Sequence, residues 1–252
     1  MPPPSPNAPV PQRFDPRNAK PTANPRRVVG GMRLSPQKPG EASWVTHRWM
    51  RLVESVAPGD QLSCREALGL KPALLTLLVT GASQGATSLN ELIPQLAATK
   101  PGLFAGWQVL HLCGQGDPAT LERAYLELGI PCVVQRFQHR MGLAWGAADL
   151  AVSRAGANSV AEAAVNAVPT VFAPYPYHSD LHQKHNAQPL VDEGAAAMEL
   201  DLIDPLLNVD GLGRVVRELM TDPARRTAMR ERLRSRPRED AAMTIAKLLL
   251  EA

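Results

Sequence analysis

The sequence predicts an α/β fold in which a parallel, Rossmann-like sheet carries helices on both faces. Two observations point to it: apolar, β-favouring runs alternate with helical patterns from about residue 64 onward, and glycine-bearing or polar turns follow several of those runs. At 252 residues the chain is also long enough to bury a sizeable core. Right-handed crossovers would bring the turns to one edge of the sheet, where such sheets bind ligands.

The elements follow from these patterns in chain order. Short apolar runs predict strands at residues 75–80, 108–113, 132–135, 150–153, 170–173 and 196–200. Helical patterns predict helices between them at residues 88–98, 119–128, 141–146, 159–167 and 181–193. Three further helices, at residues 211–220, 224–234 and 240–249, are expected to close the C-terminus.

The chain before this region has a different composition. The first 40 residues contain eleven prolines, and seven basic residues there face one acid, Asp15. Such a segment cannot build a core, so residues 1–42 are predicted to be disordered and basic. Residues 43–63 are predicted to be a linker or a short helix, and residues 64–252 to form the α/β domain.

Composition excludes several function classes. A net charge of +3 and 4% aromatic residues do not indicate a nucleic-acid partner. Cys64, Cys113 and Cys132 are odd in number and widely spaced, which predicts reduced thiols and neither a disulfide frame nor a zinc site. With no apolar run near the roughly 20 residues of a membrane helix and no secretory signal, we expect a cytoplasmic protein.

The first polar turn, residues 81–86 (GASQGA), joins a predicted strand to a predicted helix. Gly81 and Gly85 permit a tight turn that lets a phosphate approach the start of the helix, where backbone N–H groups and the helix dipole favour an anion. Ser83 and Gln84 add polar side chains. A glycine-rich turn that binds nothing fits this pattern equally well.

The second turn, residues 153–162 (SRAGANSVAE), again joins a strand to a helix. Asn158 or Ser159 is a plausible helix N-cap, and Glu162 lies three residues beyond Ser159, as in a capping box. The functional alternative is a second phosphate-binding helix start, with Glu162 accepting hydrogen bonds from ribose hydroxyls.

The third turn, residues 173–186, is stiffened by two prolines, and Asp180 is placed to cap the following helix. His178, His182 and His185 have i, i+4, i+7 spacing, which can converge on a metal ion, although no cysteine or H-E-x-x-H pattern supports a metal site. A polar helix start that grips a hydroxyl-rich sugar explains Asp180, Gln183 and Asn186 better.

In this order the turns resemble those of the MurG family, the family-28 glycosyltransferases that pair two Rossmann-like domains in the GT-B arrangement. The resemblance covers about residues 64–200 and matches the C-terminal, donor-binding half. Its motifs lie at residues 65–70 (REALGL), 81–90 (GASQGATSLN), 137–141 (FQHRM), 154–162 (RAGANSVAE) and 180–187 (DLHQKHNA).

The resemblance implies transfer of N-acetylglucosamine from UDP-GlcNAc to a lipid-linked muramyl-peptide, converting lipid I to lipid II in peptidoglycan synthesis. It implies no cofactor or metal besides this donor substrate. The binding residues it implies are Ser83, Gln84 and Gly85 for the diphosphate, Phe137, Gln138 and Met141 for uracil, Ala157, Asn158 and Ser159 for phosphates and ribose, Glu162 for the ribose hydroxyls, and His182, Gln183 and Asn186 for the sugar.

Several positions depart from the family pattern. Asn158 stands where the family usually has leucine, and Ala82 replaces a glycine. Neither a GGTGGH-type acceptor loop nor a candidate catalytic base is found, and residues 29–33 are a degenerate echo of the G-N-P-V-R motif. We therefore expect a donor-binding half-transferase that needs an acceptor domain in trans.

The basic tail is expected to favour peripheral contact with the inner face of the cytoplasmic membrane. Two alternatives remain open: a related family-28 enzyme with another acceptor or sugar, and a non-catalytic UDP-sugar-binding protein.

Overall fold

The computed structural model describes residue 56 and residues 59–81, 85–177 and 181–237. The predicted basic segment 1–42, residues 43–55 and 57–58 of the predicted linker or short helix, and the predicted helix at 240–249 lie outside the described residues.

Within that part of the chain, six parallel strands alternate with helices, which confirms the predicted fold class. The strands are β1 (Leu75–Thr80), β2 (Trp107–Leu112), β3 (Cys132–Gln135), β4 (Leu150–Ser153), β5 (Thr170–Phe172) and β6 (Ala197–Met198). The helices are α1 (Gln61–Ala67), α2 (Thr87–Thr99), α3 (Pro118–Glu127), α4 (Met141–Ala147), α5 (Ala157–Val165), α6 (His182–Asp192), α7 (Pro205–Asp210), α8 (Leu212–Thr221) and α9 (Pro223–Ser235).

The sheet has the order β3-β2-β1-β4-β5-β6, so the chain starts at the centre and winds outward first to one side and then to the other. The pairing of β1 with both β2 and β4 is parallel, and so is every other pairing of the sheet. The order reverses between β1 and β4, and open α/β sheets bind ligands beyond the carboxyl ends of the strands at such a switch point.

The core lies on both faces of the sheet. Leu77 and Val79 of β1 are fully buried in a cluster that includes residues of α2, α8 and α9, whereas Leu78 between them belongs to a second cluster with residues of α4, α5 and α6. Successive strand residues point to opposite faces, so a strand that is buried on both sides is apolar throughout. This explains why the strands read as continuous apolar runs in the sequence.

Two helices and the length of one strand differ from the predictions. Helix α7 was missed although Asp204 caps it by accepting hydrogen bonds from the N–H groups of Leu206 and Leu207, at 2.9 and 3.0 Å. The predicted strand at 196–200 shortens to Ala197–Met198, which lies at the edge of the sheet and, among the described residues, pairs with β5 alone.

The other missed helix, α1, is fastened to the amino ends of β1 and β4 by a buried ion pair. The Nη2 of Arg65 lies 2.5 Å from Oδ2 of Asp149, and the same oxygen accepts a hydrogen bond from the backbone N–H of Thr76 at 2.7 Å. The Nη1 of Arg65 donates to the carbonyl of Pro72 at 2.8 Å. Among the described residues no helix has the length and apolar character needed to cross a membrane.

Candidate functional site

A cleft of about 740 Å³ opens at the carboxyl ends of β1 to β4. The loops after β3 and β4 form its walls, and Thr80 and Leu112, at the ends of β1 and β2, also line it. Seven of the residues predicted for the site line this cleft: Phe137, Gln138, Met141, Ala157, Asn158, Ser159 and Glu162. The structure thus brings together the motif at residues 137–141 and the motif at residues 154–162.

A second cavity, also of about 740 Å³, lies near the amino ends of the strands, where Ala148 precedes β4 and Ala167 precedes β5. The N-termini of the helices face the carboxyl ends of parallel strands, and those N-termini carry the partial positive charge that binds anions. We therefore place the candidate site in the first cleft.

The turn after β1 requires glycine at two described positions. Gly85 has φ +76°, and a Cβ there would lie 2.5 Å from the carbonyl oxygen of Cys113. A Cβ on Gly81 would overlap the backbone N of Ala86. The turn therefore packs its own backbone against the loop after β2, as a phosphate-binding turn does, while Ser83 and Gln84 lie outside the described residues.

A buried series of hydrogen-bonded side chains holds the loop after β2, against which this turn packs. Asn90 on α2 donates from Nδ2 to the carbonyl of Cys113 at 3.1 Å, and its Oδ1 lies 2.9 Å from Nε2 of His111. The Nδ1 of His111 lies 2.8 Å from the hydroxyl of Tyr125. Burial lowers the pKa of His111 to about 3, so the imidazole is neutral at pH 7 and serves as a fixed hydrogen-bonding link.

The start of α5 corrects the capping-box interpretation. Helix α5 begins at Ala157 with Gly156 as the N-cap, and no side chain caps it. Asn158 and Ser159 therefore lie inside the first turn, and Glu162 is too far along the helix to bond the backbone of the cap residue. Because the first N–H groups of a helix have no partner within it, this uncapped end suits an anion.

Glu162 is held by α4. The indole Nε1 of Trp145, a fully buried residue, donates to Oε2 of Glu162 at 2.8 Å. Burial raises the pKa of Glu162, and the hydrogen bond from Trp145 partly opposes this increase. The carboxylate is therefore a half-buried acceptor on the cleft wall.

Arg154, directly after β4, ties three segments at the same edge together. Its Nη2 lies 2.6 Å from Oδ2 of Asp201 and 3.1 Å from the hydroxyl of Ser88 at the start of α2. Its Nη1 donates to the carbonyl of Ala173 at 3.0 Å, and its guanidinium carbon lies 5.5 Å from the ring centre of Tyr175. Arg154 is 6% exposed, so this motif residue is a buried side chain that links these segments to one another.

Asp201 is fully enclosed by this cluster. Burial opposes its ionisation, but hydrogen bonds from Ser88, Asn208 and the backbone N–H of Ile203, with the charge of Arg154, lower the pKa of Asp201 below its usual value. The bond from Asn208 measures 2.8 Å and the bond from Ile203 also measures 2.8 Å. The loop after β6 is therefore fastened to the turns that border the cleft.

The residues predicted to bind the sugar, His182, Gln183 and Asn186, lie on the first turns of α6 and are not among the residues that line the cleft. The side-chain oxygen of Gln183 accepts a hydrogen bond from the backbone N–H of Tyr175 at 2.9 Å. Asn186 donates to the carbonyl of Ala155 at 3.1 Å, which fixes α6 to the loop after β4. His182 is exposed at the helix start. This contact gives Asn186 a structural role, and its contact with a sugar stays a prediction.

The histidine alternative is only partly covered by the structure. His178 and Asp180 lie outside the described residues, and His182 and His185 are exposed. Within the described ranges, no three His, Cys, Asp or Glu side chains form a group that could hold a metal ion. The three cysteines, all described, are free thiols, as the sequence predicts.

The cleft contains residues that were not assigned to the predicted site. A signal existed for two of them, since Arg136 directly precedes Phe137 and His139 lies within the motif at residues 137–141. The distant partner Asp201 carries no local signal, because the loop that holds it follows the edge strand. The lining residues outside the predicted site are Thr80, Leu112, Arg136, His139 and Gly156.

Comparison with known proteins agrees with this geometry. The sequence model of the glycosyltransferase family 28 C-terminal domain matches residues 76–245. A Xylella fastidiosa (strain M12) protein is 38% identical over 195 residues, which cover 77% of this chain and 51% of that protein. A Nocardioides sp. protein is 38% identical over 187 residues, covering 74% and 50% of the two chains. Both are named UDP-N-acetylglucosamine–N-acetylmuramyl-(pentapeptide) pyrophosphoryl-undecaprenol N-acetylglucosamine transferase.

Solved structures give the same picture. Acinetobacter baumannii MurG superimposes with a TM-score of 0.62 and 28% sequence identity, covering 75% of this chain and 53% of MurG. WaaG, a glycosyltransferase involved in lipopolysaccharide biosynthesis, has a TM-score of 0.55 at 17% identity and shows the shared fold alone. The chain spans about half the length of the curated relatives it matches.

Proposed function

The chain belongs to the family of the glycosyltransferase family 28 C-terminal domain, and we propose that it binds UDP-GlcNAc as the donor half of an N-acetylglucosaminyltransferase. In this proposal residues 64–252 form the donor domain. The proposal extends to this chain what the names of the relatives say of those proteins.

One observation carries the proposal. The cleft at the carboxyl edge is lined by the uncapped start of α5 and the half-buried carboxylate of Glu162. The two-glycine turn before α2 begins directly after Thr80, which also lines this cleft. Helix starts suit a diphosphate, and a carboxylate suits the paired hydroxyls of a ribose. A nucleoside diphosphate presents both groups, and the residues that suit them lie within the range that matches the family.

The chemistry follows from what each group offers. We assign the diphosphate to the starts of α2 and α5, including Ser83, Gln84 and Gly85, because N–H groups there stabilise the negative charge that grows on the leaving UDP. We assign uracil to Phe137, Gln138 and Met141, and the sugar hydroxyls to His182, Gln183 and Asn186.

The acceptor side of the reaction belongs to a different half. Transfer requires a base that removes a proton from the attacking hydroxyl and a surface that holds the acceptor at near-attack distance. We assign both to an acceptor-binding domain that acts with this chain, in cis or in trans. The acceptor we propose is the lipid-linked muramyl-peptide in the names of the relatives, and membrane contact would be peripheral.

Calorimetry with the 252-residue chain tests donor binding. We expect UDP and UDP-GlcNAc to bind, and Glu162→Ala to weaken UDP by about 1–3 kcal/mol through loss of charge-assisted hydrogen bonds. Gln183→Ala should reduce the preference for UDP-GlcNAc over UDP while UDP still binds. Glu122→Ala, an exposed carboxylate on α3, is the matched control and should change neither affinity. A wild-type chain that binds neither ligand contradicts the proposal.

A further inference from the structure

Trp145 links the helix α4 to the wall of the cleft. Its side chain is fully buried, and its only polar atom, Nε1, donates to Oε2 of Glu162 at 2.8 Å. Seventeen residues separate the two along the chain, so the bond joins neighbouring helices and not neighbouring turns. Any rotation of the Glu162 side chain away from its present position has to break this bond.

The choice of acceptor is informative. A buried indole N–H needs an acceptor, but a backbone carbonyl or a neutral side chain would satisfy it without a charge. Here the acceptor is a carboxyl group whose ionised form is disfavoured by burial. A neutral acceptor would satisfy Trp145 without the cost of partly burying a carboxylate at the edge of an open cleft.

We propose that Trp145 is a positioning residue for nucleotide binding, which holds the Glu162 carboxylate ready to accept hydrogen bonds from the vicinal 2′ and 3′ hydroxyls of a ribose. The inference rests on the proposed function, because it concerns the same cleft and the same ligand. A carboxylate has about four lone-pair positions, so one bond to Trp145 leaves acceptor capacity for both hydroxyls of the diol.

According to this proposal, selectivity for the ribose depends on Trp145, which lies on α4 and does not itself line the cleft. With Nε1 removed, the carboxylate is free to adopt other rotamers and must be ordered when the nucleotide binds. UDP, which offers two hydroxyls to the carboxylate, then loses more affinity than 2′-deoxy-UDP, which offers one. The ratio of the two affinities is therefore the diagnostic quantity.

The experiment is calorimetry of UDP and 2′-deoxy-UDP with the full chain carrying Trp145→Phe, which keeps an aromatic ring and removes the donor. We expect UDP affinity to fall about tenfold, the size of one hydrogen bond to a charged group, with a smaller loss for 2′-deoxy-UDP. Trp107→Phe is the matched control, since Trp107 is also buried but begins β2 at the amino edge and stacks with Arg226. It should leave both affinities unchanged.

A double-mutant cycle separates positioning from general disruption. If Trp145 acts through Glu162, Trp145→Phe adds no further loss of UDP affinity to a chain that already carries Glu162→Ala. An equal loss in both backgrounds would overturn the proposal, because Trp145 would then act by packing alone. So would a Trp145→Phe chain that keeps the wild-type ratio of the two affinities.

The wild-type chain supplies a test if Trp145→Phe does not fold. In ¹⁵N-labelled protein the indole N–H signal of Trp145 should shift when UDP saturates the cleft, and shift less with 2′-deoxy-UDP. No shift with bound UDP would contradict the inference while leaving the proposed function intact. Failure of the wild-type chain to bind UDP at all would instead contradict the proposed function.

Discussion

Strand β4 lies between two buried arginine–aspartate pairs that have the same chemistry and different surroundings. Asp149 directly precedes the strand and pairs with Arg65 at 2.5 Å, whereas Arg154 directly follows it and pairs with Asp201 at 2.6 Å. All four side chains are at most 10% exposed. The two pairs therefore face similar costs of removing charge from water.

The other hydrogen bonds of each arginine show what each pair is for. Arg65 donates to the carbonyls of Ala147 and Pro72, both near the amino edge of the sheet. Arg154 instead reaches the start of α2, the residue after β5 and the ring of Tyr175, which all lie at the carboxyl edge of the sheet. The amino-edge pair fixes a helix to the domain, and the carboxyl-edge pair fixes the loops of the site to one another.

The largest expected effects come from a matched pair of variants that neutralise one aspartate each. Asp149→Asn and Asp201→Asn should each lower the free energy of unfolding by about 3–5 kcal/mol, because each leaves a buried arginine without its counter-charge. Only Asp201→Asn should also weaken UDP-GlcNAc binding in the folded protein. Urea unfolding and calorimetry on the same samples measure the two quantities.

Equal losses of donor affinity in both variants would remove the distinction between the two edges. Unchanged affinity in Asp201→Asn would show that the loops of the site keep their positions without the ion pair.

The next largest effect should be a pH dependence of stability that comes from His111, which is neutral and buried near the carboxyl end of β2. His111 has a folded pKa of about 3 against an ordinary value of 6.5, so its stabilising contribution is complete above pH 6.5 and is lost as the pH falls toward the folded pKa. We expect the free energy of unfolding to fall by roughly 1.4 kcal/mol per pH unit below 6.5 from this group alone.

The control for this prediction is His111→Gln, which cannot titrate and keeps a donor and an acceptor for Asn90 and Tyr125. Its stability should depend less on pH between pH 6.5 and 4.5. Over this range His111 should lower the free energy of unfolding of the wild-type chain by about 2–3 kcal/mol. Parallel pH dependences for the two proteins would mean that His111 is not held neutral in the fold.

The sequence predicted the parallel sheet because its strands are buried on both faces and so are apolar without interruption. It placed β1, β3 and β4 at the residues where the structure has them. It missed α1, since what fixes this helix is the bond from Arg65 to Asp149, 84 residues away. It overestimated the edge strand β6, since apolar residues alone do not show where pairing stops.

The site shows the same limit more sharply. The family resemblance supplied Phe137 and Met141, whereas local patterns singled out Glu162, on the helix that follows β4. They favoured a capping box equally for Glu162, and that alternative is wrong because α5 begins two residues earlier than predicted. No local pattern connects Glu162 with Trp145, since that contact exists only after two helices pack side by side.

The smallest expected effect is at Glu162, where removal of the charge should raise the stability of the fold, whereas at Asp201 it should lower it. At Glu162 burial raises the pKa above its ordinary value of 4.5, so the ionised form is the disfavoured one in the fold. This cost is absent below pH 4.5 and complete once the pH exceeds the folded pKa. Glu162→Gln removes the charge and keeps an oxygen that accepts from Trp145, so it should stabilise the chain at pH 7 by roughly 0.5–1 kcal/mol and hardly at pH 4.

The same variant should bind UDP more weakly, because an amide offers the ribose diol one neutral acceptor oxygen in place of a charged pair. Thermal unfolding at pH 7 and pH 4, with calorimetry at pH 7, measures the stability and the affinity. Higher stability with lower affinity would indicate that Glu162 serves binding and not folding. Asp201→Asn, in contrast, should lower both the stability and the affinity. A Glu162→Gln chain that is less stable at pH 7 would place Glu162 beside Asp201 as part of the structural framework.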